Sequence, residues 1–159
     1  MNGERTMPVL RPVLAGAFAL LALTSVHHIY GAQRFGTPWR AHMAHIAGWI
    51  AVTMLVCVAV HRFAGSAAMR GAALWLLLVV IVVLPVGWIG FFEGGYNHVL
   101  KDVMYWVGAP GSLLARMFPP PTYEPPVDAW FEITGILQFP LAVWVGVRVV
   151  AIRPALPAS

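Results

Sequence analysis

Between Arg70 and Glu93 the chain reads GAALWLLLVVIVVLPVGWIGFF (residues 71–92), 22 residues without one acidic, basic or imidazole side chain. At 1.5 Å per residue, a helix of that length covers the roughly 30 Å hydrocarbon core of a bilayer, and it has no polar face to turn towards water. The stretch reads as a membrane-spanning helix, and the same reading extends outward from it. Twenty-two residues free of Asp, Glu, Lys and Arg separate Arg11 from Arg34, 21 separate Arg40 from Arg62, and 19 run from Ala129 to Val147 with Glu132 as their only charge. The pattern predicts an all-α integral membrane protein, a four-helix bundle with helices over about residues 9–31, 38–63, 71–92 and 129–151 of a single membrane domain, 1–159.

Composition agrees. Of the 159 residues, 60% are hydrophobic and 10% charged, against about 25% charged in soluble domains. A soluble enzyme is excluded. Cys57 is the only cysteine, so no intrachain disulfide can form. The formal net charge of +4 is spread over both ends of the spans, with neither a basic patch nor a nucleic-acid motif. The bilayer itself is the expected partner, with no role for nucleic acid. The first apolar run reads as a retained span, because residues 24–31 offer no Ala-x-Ala cleavage site.

Local chemistry sets the expected boundaries. Gly31 and the pair Gly94-Gly95 read as helix ends, Thr37-Pro38 as a start, and Asp128 as an N-cap. Pro85 and Pro140 fall inside spans and should distort them. In the loop 93–128, apolar and polar residues from Asn97 to Val107 recur at helical spacing, which predicts an interfacial amphipathic helix between the third and fourth spans. Ser112 to Phe118 suggests a further short helical turn, and Pro119 to Pro126 an extended connector.

An even number of spans puts both termini on one side. That side carries Arg5, Arg11, Arg62, Arg70, Arg148 and Arg153, and the other carries Arg34, Arg40, Lys101 and Arg116. Six cations against four place the termini in the cytoplasm, and the expected location is a bacterial inner membrane.

Five of the six histidines, His27, His28, His42, His45 and His98, fall at the ends of spans that share the opposite side, as do Glu93, Asp102, Asp128 and Glu132. Any one of these alone reads as an interfacial residue with an apolar and a wet edge. Their convergence reads as a site, because ionisable groups within a hydrocarbon layer are costly. Imidazoles with a carboxylate suit Zn, Cu or Fe, and bundle sites are built from inward side chains on facing helices. The expected metal ligands are His27, His28, His42, His45, His98 and Glu132, with Glu132 or Glu93 as a catalytic base. In a variant reading, His28 and His45 are axial ligands of haem b.

The sequence leaves the chemistry open between an enzyme acting on a lipid or quinone-like substrate, a non-enzymatic small-molecule or metal carrier, and an accessory subunit or assembly factor among other membrane subunits.

Overall fold

The computed structural model describes residues 3–152, with side chains from Met7 onward. The side chain of Arg5 and the whole of Arg153, both used in the orientation count, lie outside that part. The chain forms α1 (Gly3–Arg34), a 3₁₀ turn (Pro38–Ala41), α2 (His42–Phe63), α3 (Ala67–Trp106), the short α4 (Gly111–Met117) and α5 (Ala129–Ile152). Four stretches, Met7–Arg34, Pro38–Phe63, Ala67–Trp106 and Ala129–Ile152, are long and apolar enough to cross a membrane. There is no strand among the described residues, and the fold is the expected all-α four-helix membrane bundle.

Each of the four spans contributes one buried stripe at three- and four-residue spacing. On α1 it runs through Leu10, Val13, Ala17, Leu20 and Leu21 and continues, still buried, into Thr24, His27 and His28. On α2 it is Met43, Ala47, Ile50, Met54, Cys57 and His61. Together with Leu74, Leu77, Leu78 and Ile81 of α3 and Ala142 and Val145 of α5, these close an apolar core. Large apolar side chains cover the outside, Trp49 at 73% exposure among them. In a bundle this apolar throughout, that surface faces lipid.

The helices form a ring in which α1 packs on α2, α2 on α3, α3 on α5 and α5 on α1, with α1 also touching α3. The packing of α2 on α3 is confined to the segment Ala67–Ile81, and α2 has no comparable contact with Val82–Leu100. The two helices thus part towards the end that carries the polar residues.

The third helix differs from expectation in two ways. It does not stop at Gly94-Gly95 but runs to Trp106, so the amphipathic stretch Asn97 to Val107 is helical as expected and continuous with the span. From Val82 to Leu100 it also adopts the wider π-helical pattern. Pro85 lies just inside that segment. Its ring would clash with the carbonyl four residues back and it has no N–H to donate, and a wider turn relieves both. Pro140 acts comparably on α5, which is interrupted at Leu137.

The glycines expected to end helices serve proximity instead. A Cβ on Gly94 would lie 2.7 Å from the Phe139 backbone nitrogen, and one on Gly31 would lie 2.5 Å from the Phe131 ring. The true terminators are Gly36 and Gly108, with φ of 62° and 73°. Past them, Thr37 N–H reaches the Ala32 carbonyl at 2.9 Å and Ala109 N–H the Met104 carbonyl at 3.0 Å, the long back-bond of a Schellman end.

Asp128 caps α5 as expected, accepting from Phe131 N–H at 2.9 Å while Arg34 Nε donates to its other oxygen at 2.7 Å. These bonds hold its carboxyl below the usual carboxylate range, the Phe131 amide contributing most. Thr37 precedes the 3₁₀ turn without a side-chain cap. The proline-rich connector turns at Pro119, where Thr122 N–H bonds the Pro119 carbonyl at 3.2 Å, rather than running extended. That turn carries Thr122 and Glu124 back over the bundle.

Candidate metal centre

The stripe that is apolar on α1 as far as Leu21 turns polar at Thr24, and opposite it the stripes of α3 and α5 do the same. His27 of α1, His98 of α3 and Glu132 and Thr134 of α5 meet there, all buried. His98 Nδ1 lies 2.7 Å from Glu132 Oε2, His27 Nδ1 lies 3.0 Å from Thr134 Oγ1, and the two Nε2 atoms face one another at 3.1 Å. His27 also stacks on Phe131 with ring centroids 4.1 Å apart, which fixes its plane.

These partners determine where the imidazole protons sit. Glu132 is an acceptor, so His98 carries its hydrogen on Nδ1. Thr134 Oγ1 lies 2.9 and 3.0 Å from the carbonyls of Trp130 and Phe131, so its one proton has three acceptors in reach, His27 Nδ1 being the third. With that proton on a carbonyl, His27 is protonated on Nδ1 and both Nε2 lone pairs converge on the same space, which a shared proton or a metal ion satisfies. With it on His27 Nδ1, His27 Nε2–H donates to His98 Nε2 instead. A metal ion selects the first arrangement.

Glu93 supplies the third group. One ligand atom each from His27, Glu93 and His98 lie within 4.8 Å of one another, so this cluster can hold a metal ion. Asn97 Nδ2 donates to Glu93 Oε2 at 2.8 Å, and His28 Nε2 approaches Glu93 Oε1 at 3.5 Å. On an α-helix, Glu93 and His98, five residues apart, would project about 140° from each other at 100° per residue. The π-helical segment brings them to one face.

Around this centre charge is concentrated. Lys101 Nζ lies 3.1 and 3.3 Å from the two oxygens of Glu132, 3.0 Å from the Glu124 carbonyl and 3.5 Å from Asp102. Arg40, only 4% exposed, donates to the Thr122 carbonyl at 3.1 Å and pairs with Glu124 at 3.4 Å. Four carboxylates, Glu93, Asp102, Glu124 and Glu132, thus face two cations. A divalent ion would neutralise the excess.

A cleft of about 190 Å³ opens beside the centre, with Glu93, His98 and Lys101 at its polar end and Trp39, Trp88 and Phe92 among its walls. Three buried polar side chains that line it have atoms with no hydrogen-bond partner among the described residues: Nδ1 of His28, Nε of Arg40 and Oδ1 of Asn97. Tyr123, also at the wall, has its phenol pushed up by burial and remains a neutral hydroxyl.

Of the residues expected from sequence, the structure brings His27, His28, His98, Glu93 and Glu132 together. His42 is exposed at the edge of the cleft, its Nδ1 against the Trp39 carbonyl. His45 is exposed on α2 and does not line the cleft. Depth along α2 placed both in the right layer, but the buried stripe of that helix is set by Met43, Ala47 and Ile50, and His45 lies two residues out of phase with it. His61 is buried at the far end, against the Arg70 carbonyl at 2.9 Å. Thr134, Lys101 and Asn97 were not expected as site residues. For Thr134 the signal was available in the phase of Phe131, Thr134, Gly135 and Gln138 on α5. For Lys101 and Asn97 it was hidden by the change of helical period. Compared with protein-family models, with curated proteins and with solved structures, the chain matches none.

Proposed function

We propose that the protein is a membrane metalloprotein holding one divalent transition-metal ion between His27 Nε2, His98 Nε2 and a Glu93 oxygen, and presenting it to the adjacent cleft. The observation that carries this reading is the pair of Nε2 atoms that face one another 3.1 Å apart. An ion about 2.05 Å from each nitrogen would subtend about 100° between them, a normal angle between neighbouring ligands. Two imidazoles and one carboxylate are the donor set of hydrolytic zinc sites and of non-haem iron(II) sites, both of which keep positions open for water or substrate. Glu132 and Thr134 are the acceptors that orient ligating imidazoles in such sites, and Lys101 in turn holds Glu132. In this reading Glu132 positions His98 rather than binding the ion. A haem held by His28 and His45 has no support from an outward-facing His45.

The termini lie in the cytoplasm and the site at the outer face, on the six-to-four count of cations. The substrate is a lipid-like small molecule, since the cleft lies at the level of the bilayer.

Metal content by mass spectrometry after mild detergent extraction tests the centre. Near one equivalent per chain is expected for the native protein and for His45→Ala and His61→Ala, and less than a tenth for His27→Ala and His98→Ala with helix content retained. Less than a tenth of an equivalent in the native protein, with no uptake on reconstitution, would overturn the reading.

A further inference from the structure

We infer that the cleft binds the ring of a membrane-dissolved amphiphile of the quinone or quinol type, entering sideways from the bilayer between α2 and α3. The inference rests on the metal centre only for what lies at the polar end of the cleft.

Size comes first. A dry protein cavity of about 150 Å³ accommodates benzene, so about 190 Å³ suits one ring with a few small substituents and excludes the fused rings of a sterol. The walls suit a flat ring as well. Trp39 comes from the turn before α2, Trp88 and Phe92 from α3, and Phe131 from α5. Aromatic side chains from three elements of the fold favour a planar partner over a branched chain.

The unpartnered atoms define the substituents. Arg40 Nε is a donor, Asn97 Oδ1 is an acceptor, and His28 Nδ1 can serve as either, all three side chains being at least nine-tenths buried and lining the cleft. A buried polar group left unmatched costs about 1–3 kcal/mol, and a ring bearing carbonyl or hydroxyl oxygens would match all of them. An anionic headgroup would instead meet four carboxylates with two cations already engaged.

The route in follows from the packing. Because α2 packs on α3 over Ala67–Ile81 and has no comparable contact with Val82–Leu100, the two helices part alongside that segment, and the cleft residues Trp39, Met43, Trp88 and Phe92 stand on its two sides. Trp39 and Phe92 are each nearly half exposed, so the mouth reaches the lipid-facing surface. Towards the aqueous side, Arg40 and Lys101 tie down the connector through the carbonyls of Thr122 and Glu124, which makes entry from water the narrower path.

Titrating a short-tailed 1,4-benzoquinone into the detergent-purified protein, with tryptophan fluorescence quenching as readout and metal content measured on the same preparation, tests this. Saturable one-to-one quenching is expected, weakened at least tenfold by Met43→Trp, which fills the mouth, and by Phe92→Ala, which removes an aromatic wall, with metal content and helicity retained. A sterol or a fatty acid should not displace the probe. Normal metal content with non-saturable quenching that neither variant alters would overturn the ring site and leave the metal centre standing. Displacement of the probe by dodecanoate would overturn the quinone class in favour of an anionic lipid. Saturable, variant-sensitive binding to a protein that holds no metal would uphold the ring site and remove the metal.

Discussion

Gly135 is the residue on which the position of His98 depends most directly. A Cβ built there lies 2.4 Å from Cδ2 and Cγ of the His98 ring and 2.5 Å from Cε1. Carbon atoms in contact settle near 3.5 Å or beyond, so Gly135→Ala must drive the imidazole away by about 1 Å. Its Nδ1 would then sit about 3.7 Å from Glu132, instead of 2.7 Å, and no longer hydrogen-bond. A bond to a charged group contributes about 2 kcal/mol, and metal–ligand distances tolerate only about 0.2 Å. On the hydrogen bond alone, metal affinity should fall about 30-fold, taking about 1.4 kcal/mol per tenfold. The control is Gly48→Ala on α2, where a Cβ meets nothing within 4 Å. Replacing a mid-helix glycine in open space should stabilise by about 0.5–1 kcal/mol and leave affinity unchanged. Competition against a chromophoric chelator reads the affinity, and thermal melting followed by circular dichroism reads the stability. A Gly135→Ala protein that binds metal within twofold of the native one, or a Gly48→Ala protein that loses as much, would refute the assignment of His98.

Three other outcomes are expected. Lys101→Met leaves Glu132 buried without its cation and should destabilise by about 3–5 kcal/mol in chemical denaturation, and the double variant Lys101→Met/Glu132→Gln should recover part of that loss because no charge remains unpaired. Asp128 has a folded-state pKa below its unfolded value, so its stabilisation is present above about pH 4 and is lost as the pH falls through the lower folded value; the melting temperature of Asp128→Asn should therefore fall less in that acidic window than that of the native protein. In a Cys57→Ala background, an impermeant thiol reagent applied to intact cells should label a cysteine at position 112 and not one at 66, and the reverse would invert the orientation and move the site to the cytoplasmic face.

The spans were legible because charge is so sparse that the distances between arginines measure the bilayer. The layer holding the site was legible for the same reason, since depth follows from counting residues at 1.5 Å each. Direction around the helix is a weaker signal, because it lies in the phase of the apolar residues rather than in a count. Met43, Ala47, Ile50, Met54 and Cys57 recur at three- and four-residue spacing and turn His45 outward, which was readable from the sequence. The pairing of Glu93 with His98 was not, because a five-residue interval shares a face only on a helix wider than the ordinary one. Glycine carries a further ambiguity. Gly36 and Gly94 are the same letter, yet one is needed for a positive φ and the other for the closeness of Phe139. Lys101 looked like the wet side of an interfacial helix until Glu132, 31 residues away in sequence, was seen to be its partner.

The change of character along the α1 stripe, dry to Leu21 and polar from Thr24, also has an electrical meaning. His27 lies seven residues, about 10 Å, inside the end of α1 at Arg34, roughly a third of the way through a 30 Å hydrocarbon layer. Below it Leu20, Leu77 and Val145 are fully buried, so most of a voltage across the membrane falls over this apolar plug and the remainder between the site and the nearer aqueous phase. One charge crossing the whole layer gains about 2.3 kcal/mol per 100 mV. A divalent cation moving a third of the way gains about 1.5 kcal/mol, close to a tenfold change in binding. For a site that opens outward, an interior-negative potential draws the ion in, so an energised cell would hold its metal about ten times more tightly per 100 mV than the same protein in detergent.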